Sequence, residues 1–447
     1  MKWIKINKTL SAILLLTFIA SAGYSFYFRI NPVVDSDAYE QIAINLIEGK
    51  GFKEDATLPY QFDKSILRAG PGYEFFIAGL YKVFGQHHEA IWIAQALLHV
   101  VSVFFIYLIV QRIFKTSEYK KQIGILSAFL FGLNPDLIEI GAMLMTETLY
   151  LFFTILVIYI FLKVYDKPRS FLLGSALGII TGVSILTRPP ILLFIPIFLF
   201  FYWREKQYKT SLIFLASLVV SLAPWVYRNF LIYDQFILTT LIGEYNLWVG
   251  NTTLSNGGQI SGEPNPVIGH VTEYGVFTLK KATRSAFFMF VFQEPLVFIK
   301  LVLIRAMRYA SLIRPMGFWF YQTGVSQGLF ILSSLVSIGI LFTTGISGMV
   351  KAWQDKLEII RYLIVLAVTA PILLLPTVVQ SRYRFQIYPF LAIFGAYLII
   401  EFYKKRKKQD KLIFIKITTI LAIISFIDAL IFTEIVTARL SKFLPFL

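Results

Sequence analysis

Two aspartates separated by one residue, Asp35 and Asp37, follow closely on an apolar stretch that ends at about Ile30. A carboxylate held at a membrane–water boundary can take a proton from a water-borne hydroxyl while the apolar body of the protein holds a lipid. Further along, ionisable residues stand at the ends of other apolar stretches: Arg68, Glu147, Arg188, Arg228, and Arg382 with Arg384. Such groups at membrane depth are costly and tend to mark substrate paths. Two guanidiniums at one interface suit a phosphate, which each can bind through paired N–H donors.

Each of these residues also has a purely structural use. Asp37 with Glu40 fits a capping box for a helix that shares Tyr39, Ile42, Ala43, Leu46 and Ile47 on one face, and Asp35 or Ser36 serves equally as its cap. Glu147 stands in a first helical turn, where the helix dipole favours it. Arg188 precedes Pro189-Pro190 at a joint between two apolar stretches, and Arg228 follows Pro224-Trp225 near an interface. His87-His88 has no third metal ligand at an informative spacing, and His99 stands alone. The sequence shows no Gly-rich nucleotide loop and no Ser-His-Asp arrangement. With no cysteine, thiol catalysis and thiolate metal sites are excluded.

The elements that must position these groups are membrane helices. Of 447 residues, 57% are hydrophobic and only 15% charged, where a soluble domain carries about 25% charge. Apolar runs of about 20 residues, the length that crosses a bilayer, recur from end to end. The expectation is an all-α, polytopic bundle of about eleven spans: 9–30, 90–111, 122–142, 146–164, 170–188, 190–203, 211–231, 326–350, 359–379, 385–403 and 412–433. Apolar character that continues past Ala20-Ser21-Ala22 reads as an uncleaved first span rather than a signal peptide. With the N-terminus in the cytoplasm, the basic clusters at 112–121, 163–169, 203–209, 351–361 and 404–411 all fall on the cytoplasmic side. The net charge of +16 is thereby explained by topology and not by nucleic acid. Stretch 291–314, interrupted by Arg305, Arg308 and Arg314, reads as an interfacial amphipathic helix.

This topology leaves two outer segments. Segment 31–89 carries turn signals between short helices, and 232–290 is expected to be largely irregular because of Asn256-Gly257-Gly258 and Glu263-Pro264-Asn265-Pro266. Neither is large enough for a core of its own, so the chain reads as one membrane domain, 1–447, with both segments capping one face. No internal repeat is visible.

Six motifs, in order, resemble the GT-C superfamily of multi-span glycosyltransferases, closest to protein O-mannosyltransferases and the lipid A aminoarabinose transferase. They are Asp35-Ser36-Asp37-Ala38-Tyr39 with Gly49-Lys50-Gly51-Phe52; Arg68-Ala69-Gly70-Pro71-Gly72-Tyr73, which departs at Ala69-Gly70 from an Arg-Pro-Pro-Gly-Tyr pattern; Asn134-Pro135 with Thr146-Glu147; Leu186-Thr187-Arg188-Pro189; Pro224-Trp225-Val226-Tyr227-Arg228-Asn229; and Ser381-Arg382-Tyr383-Arg384 with Pro389. The resemblance implies a polyprenyl-phosphate-linked sugar donor and transfer with inversion outside the cytoplasm to an acceptor hydroxyl, with the acceptor a glycan, lipid or protein. The compact cytoplasmic loops and short N-terminus fit a bacterial inner membrane. The resemblance further implies Asp37 as general base with Asp35 as the alternative, and Glu147 orienting the acceptor or sharing that role. By the same resemblance Arg382 and Arg384, with Arg188 or Arg228, would hold the lipid phosphate, and Tyr39, Arg68 and Tyr383 would add substrate contacts. The superfamily includes metal-dependent and metal-independent members, and the sequence indicates no cofactor. A transporter or lipid flippase is the alternative; it predicts charges in mid-span and broken helices. A noncatalytic envelope scaffold is the third reading.

Overall fold

The computed structural model describes residues 8–253, 255–258, 265–314, 321–355, 358–405 and 407–431, and these form helices and connecting turns with no strand. In chain order the helices are α1 (Lys8–Phe28), α2 (Asp35–Ile47), α3 (Pro71–Phe84), α4 (His88–Ile113), α5 (Lys120–Gly132), α6 (Pro135–Gly141), α7 (Glu147–Asp166), α8 (Phe171–Thr187) and α9 (Phe194–Arg204). They continue with α10 (Tyr208–Tyr233), α11 (Ile242–Gly250), α12 (Pro266–Tyr274), α13 (Leu279–Gln293), α14 (Pro295–Ala310), α15 (Gly324–Gln354), α16 (Glu358–Ile372), α17 (Tyr388–Lys405) and α18 (Lys408–Ile431).

A helix runs through each of the eleven apolar stretches. Among the described residues, seven single helices are long and apolar enough to cross a membrane, each on one of these stretches, or nine spans in all when each of two bent pairs counts as one. One such pair is α5 and α6, which meet at 52° where Asn134 caps the second helix and Pro135 opens it. The other turns through 103° between α13 and α14, again at a proline, Pro295. Helices α8 and α9 are shorter, because Pro189-Pro190 interrupts what would be one long apolar run. Arg188 therefore adopts the extended backbone expected before a proline, with φ −154° and ψ 129°.

Small residues draw the helices together, as is usual where lipid supplies no hydrophobic drive between helices. A Cβ at Gly178 would lie 2.3 Å from the Phe214 carbonyl, so α8 and α10 touch backbone to backbone. The same device docks the segment before α3 onto the end of α8. A Cβ at Gly70 would lie 2.3 Å from the Leu186 carbonyl, and one at Gly72 would lie 2.6 Å from the Thr187 hydroxyl. The departure at Gly70 is thus a packing requirement, met where the chain carrying Arg68 docks on the end of α8, just before Arg188.

Three expectations are corrected here. The capping box is absent: α2 begins at Asp35, and Glu40 instead accepts hydrogen bonds from Tyr81 and His88. Ser36 exchanges two 2.8 Å bonds with the backbone of Val33, closing a turn ahead of the helix. Segment 232–290 is mostly helical in its described residues, because its prolines and asparagines start helices: Asn265 caps α12 by accepting from Val267 and Ile268, and Pro266 opens it. Glu263 and Pro264 lie outside the described residues. Finally, the arginines of α14 do not face water. Arg305 is fully buried, donating to Asn251 Oδ1 and the Leu375 carbonyl at 3.1 Å and to the Gly250 carbonyl.

Glu74, in the first turn of α3, is fully buried, and neither carboxylate oxygen has a hydrogen-bond partner in another described residue. Burial pushes its carboxyl from 4.5 up to about 8, against the opposing pull of its own backbone N–H and Arg68. The folded protein therefore keeps a proton that the unfolded chain releases, so stability falls as pH rises from about 4.5 to about 8. Glu74→Gln is expected to raise the thermal midpoint at pH 9, by a gain on the order of 1–3 kcal/mol, and to change little at pH 4.5. Scanning fluorimetry of the purified protein checks this; equal midpoints at pH 9 would refute it.

Candidate active site

The start of α2, the end of α8, the start of α7 and the turn before α17 converge on one cavity of about 680 Å³. Asp35, Tyr39, Arg68, Glu147, Arg188, Arg382 and Tyr383 all line it. A second cavity of about 270 Å³ lies beside it, walled by Ile30, Pro32, Val33 and Met143 to Met145, with Asn31, Ser36 and Gln380 among its few polar groups. Val34, Asp35 and Arg382 line both. The Asp35–Arg382 pair is therefore the partition between two hollows.

Asp35 is bracketed by guanidiniums. Its Oδ1 accepts from Arg68 at 3.1 Å and its Oδ2 from Arg382 at 2.9 Å. Burial would raise this carboxyl, but Arg382 and Arg68 override it and hold it below the ordinary aspartate range. Glu147, only 2% exposed, pairs with Arg188 at 2.7 Å and lies 3.9 Å from the Arg382 Nε. Arg382 thus bridges the two carboxylates, while its Nε donates to Gln380 at 3.0 Å. Arg68 is forked onto Glu54 by bonds of 3.0 and 2.7 Å. The Arg188 guanidinium lies 5.6 Å from the Tyr383 ring centre, a cation–π contact that fixes its plane.

Backbone strain accompanies this arrangement. Val34, the residue before α2, has φ 53°, a value that a β-branched side chain rarely adopts. Strain of this kind costs about 1–3 kcal/mol and persists only where its surroundings enforce it. Here it aims the first carboxylate of α2 into the partition.

Three candidates lie elsewhere. Asp37 is exposed and lines neither cavity. Arg228 is enclosed by Trp225, Tyr60, Phe52 and Tyr233, with ring centres 4.8–5.6 Å away, and fastens the first segment to α10. Arg384 is 1% exposed and donates to the Ser311 carbonyl at 2.7 Å and to the Arg314 carbonyl. Its neighbour Arg382 points the other way because residues 381–387 form a 3₁₀ turn. At three residues per turn, side chains two apart point about 120° away from each other.

Sequence reasoning did not find Glu54, Gln380, Gln386, Lys64, Glu244 or Lys280. Glu54 orients Arg68, Gln380 orients Arg382, and the other four line the larger cavity. No local motif marks any of them; only their proximity in space does. One stretch of the wall is apolar, from Pro189, Pro190 and Leu192 at the α8–α9 joint to Leu373, Leu374 and Pro376 after α16, while Thr239, Thr240, Asn246 and Thr377 add polar groups. Such a site can hold an anion against fixed cations, shelter an apolar chain, and present a carboxylate to a hydroxyl entering from the other side. A divalent cation fits it poorly, since Arg382 already stands between Asp35 and Glu147. No group of three or more His, Asp or Glu suited to a metal occurs among the described residues.

Over residues 68–227 the chain matches the family model described as dolichyl-phosphate-mannose-protein mannosyltransferase. No curated protein sequence matches it. Among solved structures, the apo oligosaccharyltransferase of Archaeoglobus fulgidus superposes with a TM-score of 0.56 at 12% identity, covering 96% of this chain and 56% of that one. The same archaeal protein, AglB, in complex with an inhibitory peptide and a dolichol-phosphate, gives 0.52 at 15% identity, with 96% and 56% covered. ArnT from Cupriavidus metallidurans bound to undecaprenyl phosphate gives 0.43 at 10% identity, with 88% and 78% covered. The chain spans little more than half the length of the archaeal protein, and what it shares with it is the fold. That shared fold is a helical bundle with seven single helices, among the described residues, long and apolar enough to cross a membrane.

Proposed function

We propose that this protein is a membrane glycosyltransferase that moves a sugar from a polyprenyl-phosphate-linked donor to a hydroxyl acceptor, with inversion, on the extracytoplasmic side of a bacterial inner membrane. The observation that carries the proposal is Asp35, a carboxylate set between Arg68 and Arg382 in the wall common to two cavities. The positive-inside bias of the basic loops supports the orientation, and segments 31–89 and 232–290 are the outer cover of the site.

In this reading the donor phosphate binds Arg188 and Arg382 in the larger cavity, and its chain leaves along the apolar wall between the α8–α9 joint and the end of α16. The acceptor hydroxyl enters through the smaller cavity, opposite the phosphate. Asp35 takes the hydroxyl proton as the acceptor oxygen bonds to the anomeric carbon, and the bond from that carbon to the phosphate oxygen breaks. The phosphate departs with one more negative charge. At the same moment Asp35 becomes neutral, so Arg382 loses a counterion and turns its charge to the leaving group. Proton transfer and leaving-group stabilisation are thereby coupled through one guanidinium, in a low-dielectric site where such terms are largest. Glu147 keeps Arg188 and Arg382 in place. No step requires a metal.

The alternative of a transporter has one observation in its favour: Asp136 and Glu139 are buried on α6, half of a broken span. Radiolabelled polyprenyl-phosphate sugars, offered to the purified protein with envelope extract as acceptor and with EDTA present, separate the two. An enzyme consumes one of the donors and releases polyprenyl phosphate, with EDTA making no difference. Uptake of label into vesicles without chemical change would establish transport instead.

A further inference from the structure

The turn that presents Arg382 is anchored from a distance. Arg384, two residues on, reaches away from the cavity to the carbonyls of Ser311 and Arg314, in the short segment that follows α14. That segment is itself tied to α18. The Arg314 guanidinium forks onto Asp428 with two bonds of 2.7 Å, and the Leu312 N–H donates to Ser425 Oγ at 2.8 Å.

Asp428 is out of place on its helix. Its neighbours on α18 are outward-facing hydrocarbons, among them Ile423, Phe426 and Leu430, yet Asp428 is 1% exposed. A carboxylate in that setting must be paired, and a full fork to arginine is the strongest pairing available to it. No described residue of α18 lines the cavity. Besides the Asp410–Lys351 pair at the other end of this helix, its charged link inward runs from Asp428 to Arg314, across the Arg314 and Ser311 carbonyls to Arg384, and through the 3₁₀ turn to Arg382.

We infer that Asp428 is a positioning residue for the transfer reaction, holding the 381–387 turn, through Arg314 and Arg384, in the register that points Arg382 at Asp35 and Glu147. The inference rests on the proposed function, since it assigns Arg382 to the donor phosphate. Loss of the fork frees the 311–314 segment to shift, Arg384 follows its carbonyl partners, and Arg382 moves out of line. A displacement of about 1 Å at such a position can cost up to a hundredfold.

The test uses the full chain in lipid nanodiscs and two probes, undecaprenyl phosphate and the uncharged undecaprenol. Wild-type protein is expected to bind undecaprenyl phosphate well above undecaprenol. Asp428→Asn should weaken undecaprenyl phosphate on the order of tenfold and leave undecaprenol binding and thermal midpoint close to wild type. Asp428→Glu, which keeps the charge, and the exchanged pair Arg314→Asp with Asp428→Arg should each recover most of the loss. If Asp428→Asn binds the phosphate as wild type does, or loses both probes equally, the relay is wrong while the proposed function stands. If wild-type protein shows no preference for the phosphate, the proposed function falls first.

Discussion

Asp35→Asn is expected to lower turnover by about 10²–10⁴-fold, the usual contribution of a positioned base, while Asp37→Asn stays close to wild type. The two residues are two positions apart on α2, but only Asp35 faces the cavities, and it touches two arginines where Asp37 touches solvent. The pH–rate profile should carry the same signature. In the free protein Arg382 and Arg68 hold the Asp35 carboxyl below the ordinary range, so kcat/KM should fall only in strong acid. Once donor phosphate draws Arg382 toward itself, the carboxyl becomes a stronger base and its pKa rises, so the acid limb of kcat should lie at higher pH than that of kcat/KM. Full activity in Asp35→Asn, or loss in Asp37→Asn alone, would move the base to the exposed side of the helix and dissolve the two-cavity mechanism.

Arg382→Ala should be nearly as damaging. It removes the group that bridges Asp35 and Glu147, and with it the cation proposed to meet the departing phosphate. Loss of one preorganised donor of this kind typically costs about 10²–10³-fold in kcat, and affinity for donor should fall as well. Arg382→Lys keeps the charge but not the planar fork, so it should restore affinity better than turnover. Steady-state kinetics at several donor concentrations distinguish the two parameters. A variant whose KM rises with kcat untouched would reassign Arg382 to ground-state binding alone.

Much of this was legible in the sequence because hydropathy is a one-dimensional signal. Twenty apolar residues in a row make a membrane helix in almost any context, and the eleven stretches read from composition all contain helix. Pro189-Pro190 announced a joint, and Arg188 is at that joint, lining the cavity. Of the ten candidate residues, seven line one hollow, five of them charged.

What could not be read was which member of each pair faces inward. Asp35 and Asp37 share a helix, and Arg382 and Arg384 share a turn; residues two apart on an α-helix diverge by about 200°. Local chemistry treats the members of a pair alike. The choice is made by the rotation of the element about its own axis, and that rotation is set by contacts distant in sequence: Gly70 against Leu186, Arg68 between Glu54 and Asp35, and Arg384 on the carbonyls of residues 311 and 314. The residue types and their order along the chain settled that the protein is a membrane bundle with ionisable span ends. Only packing, which fixes the phase of each helix, decided which of those ends meet.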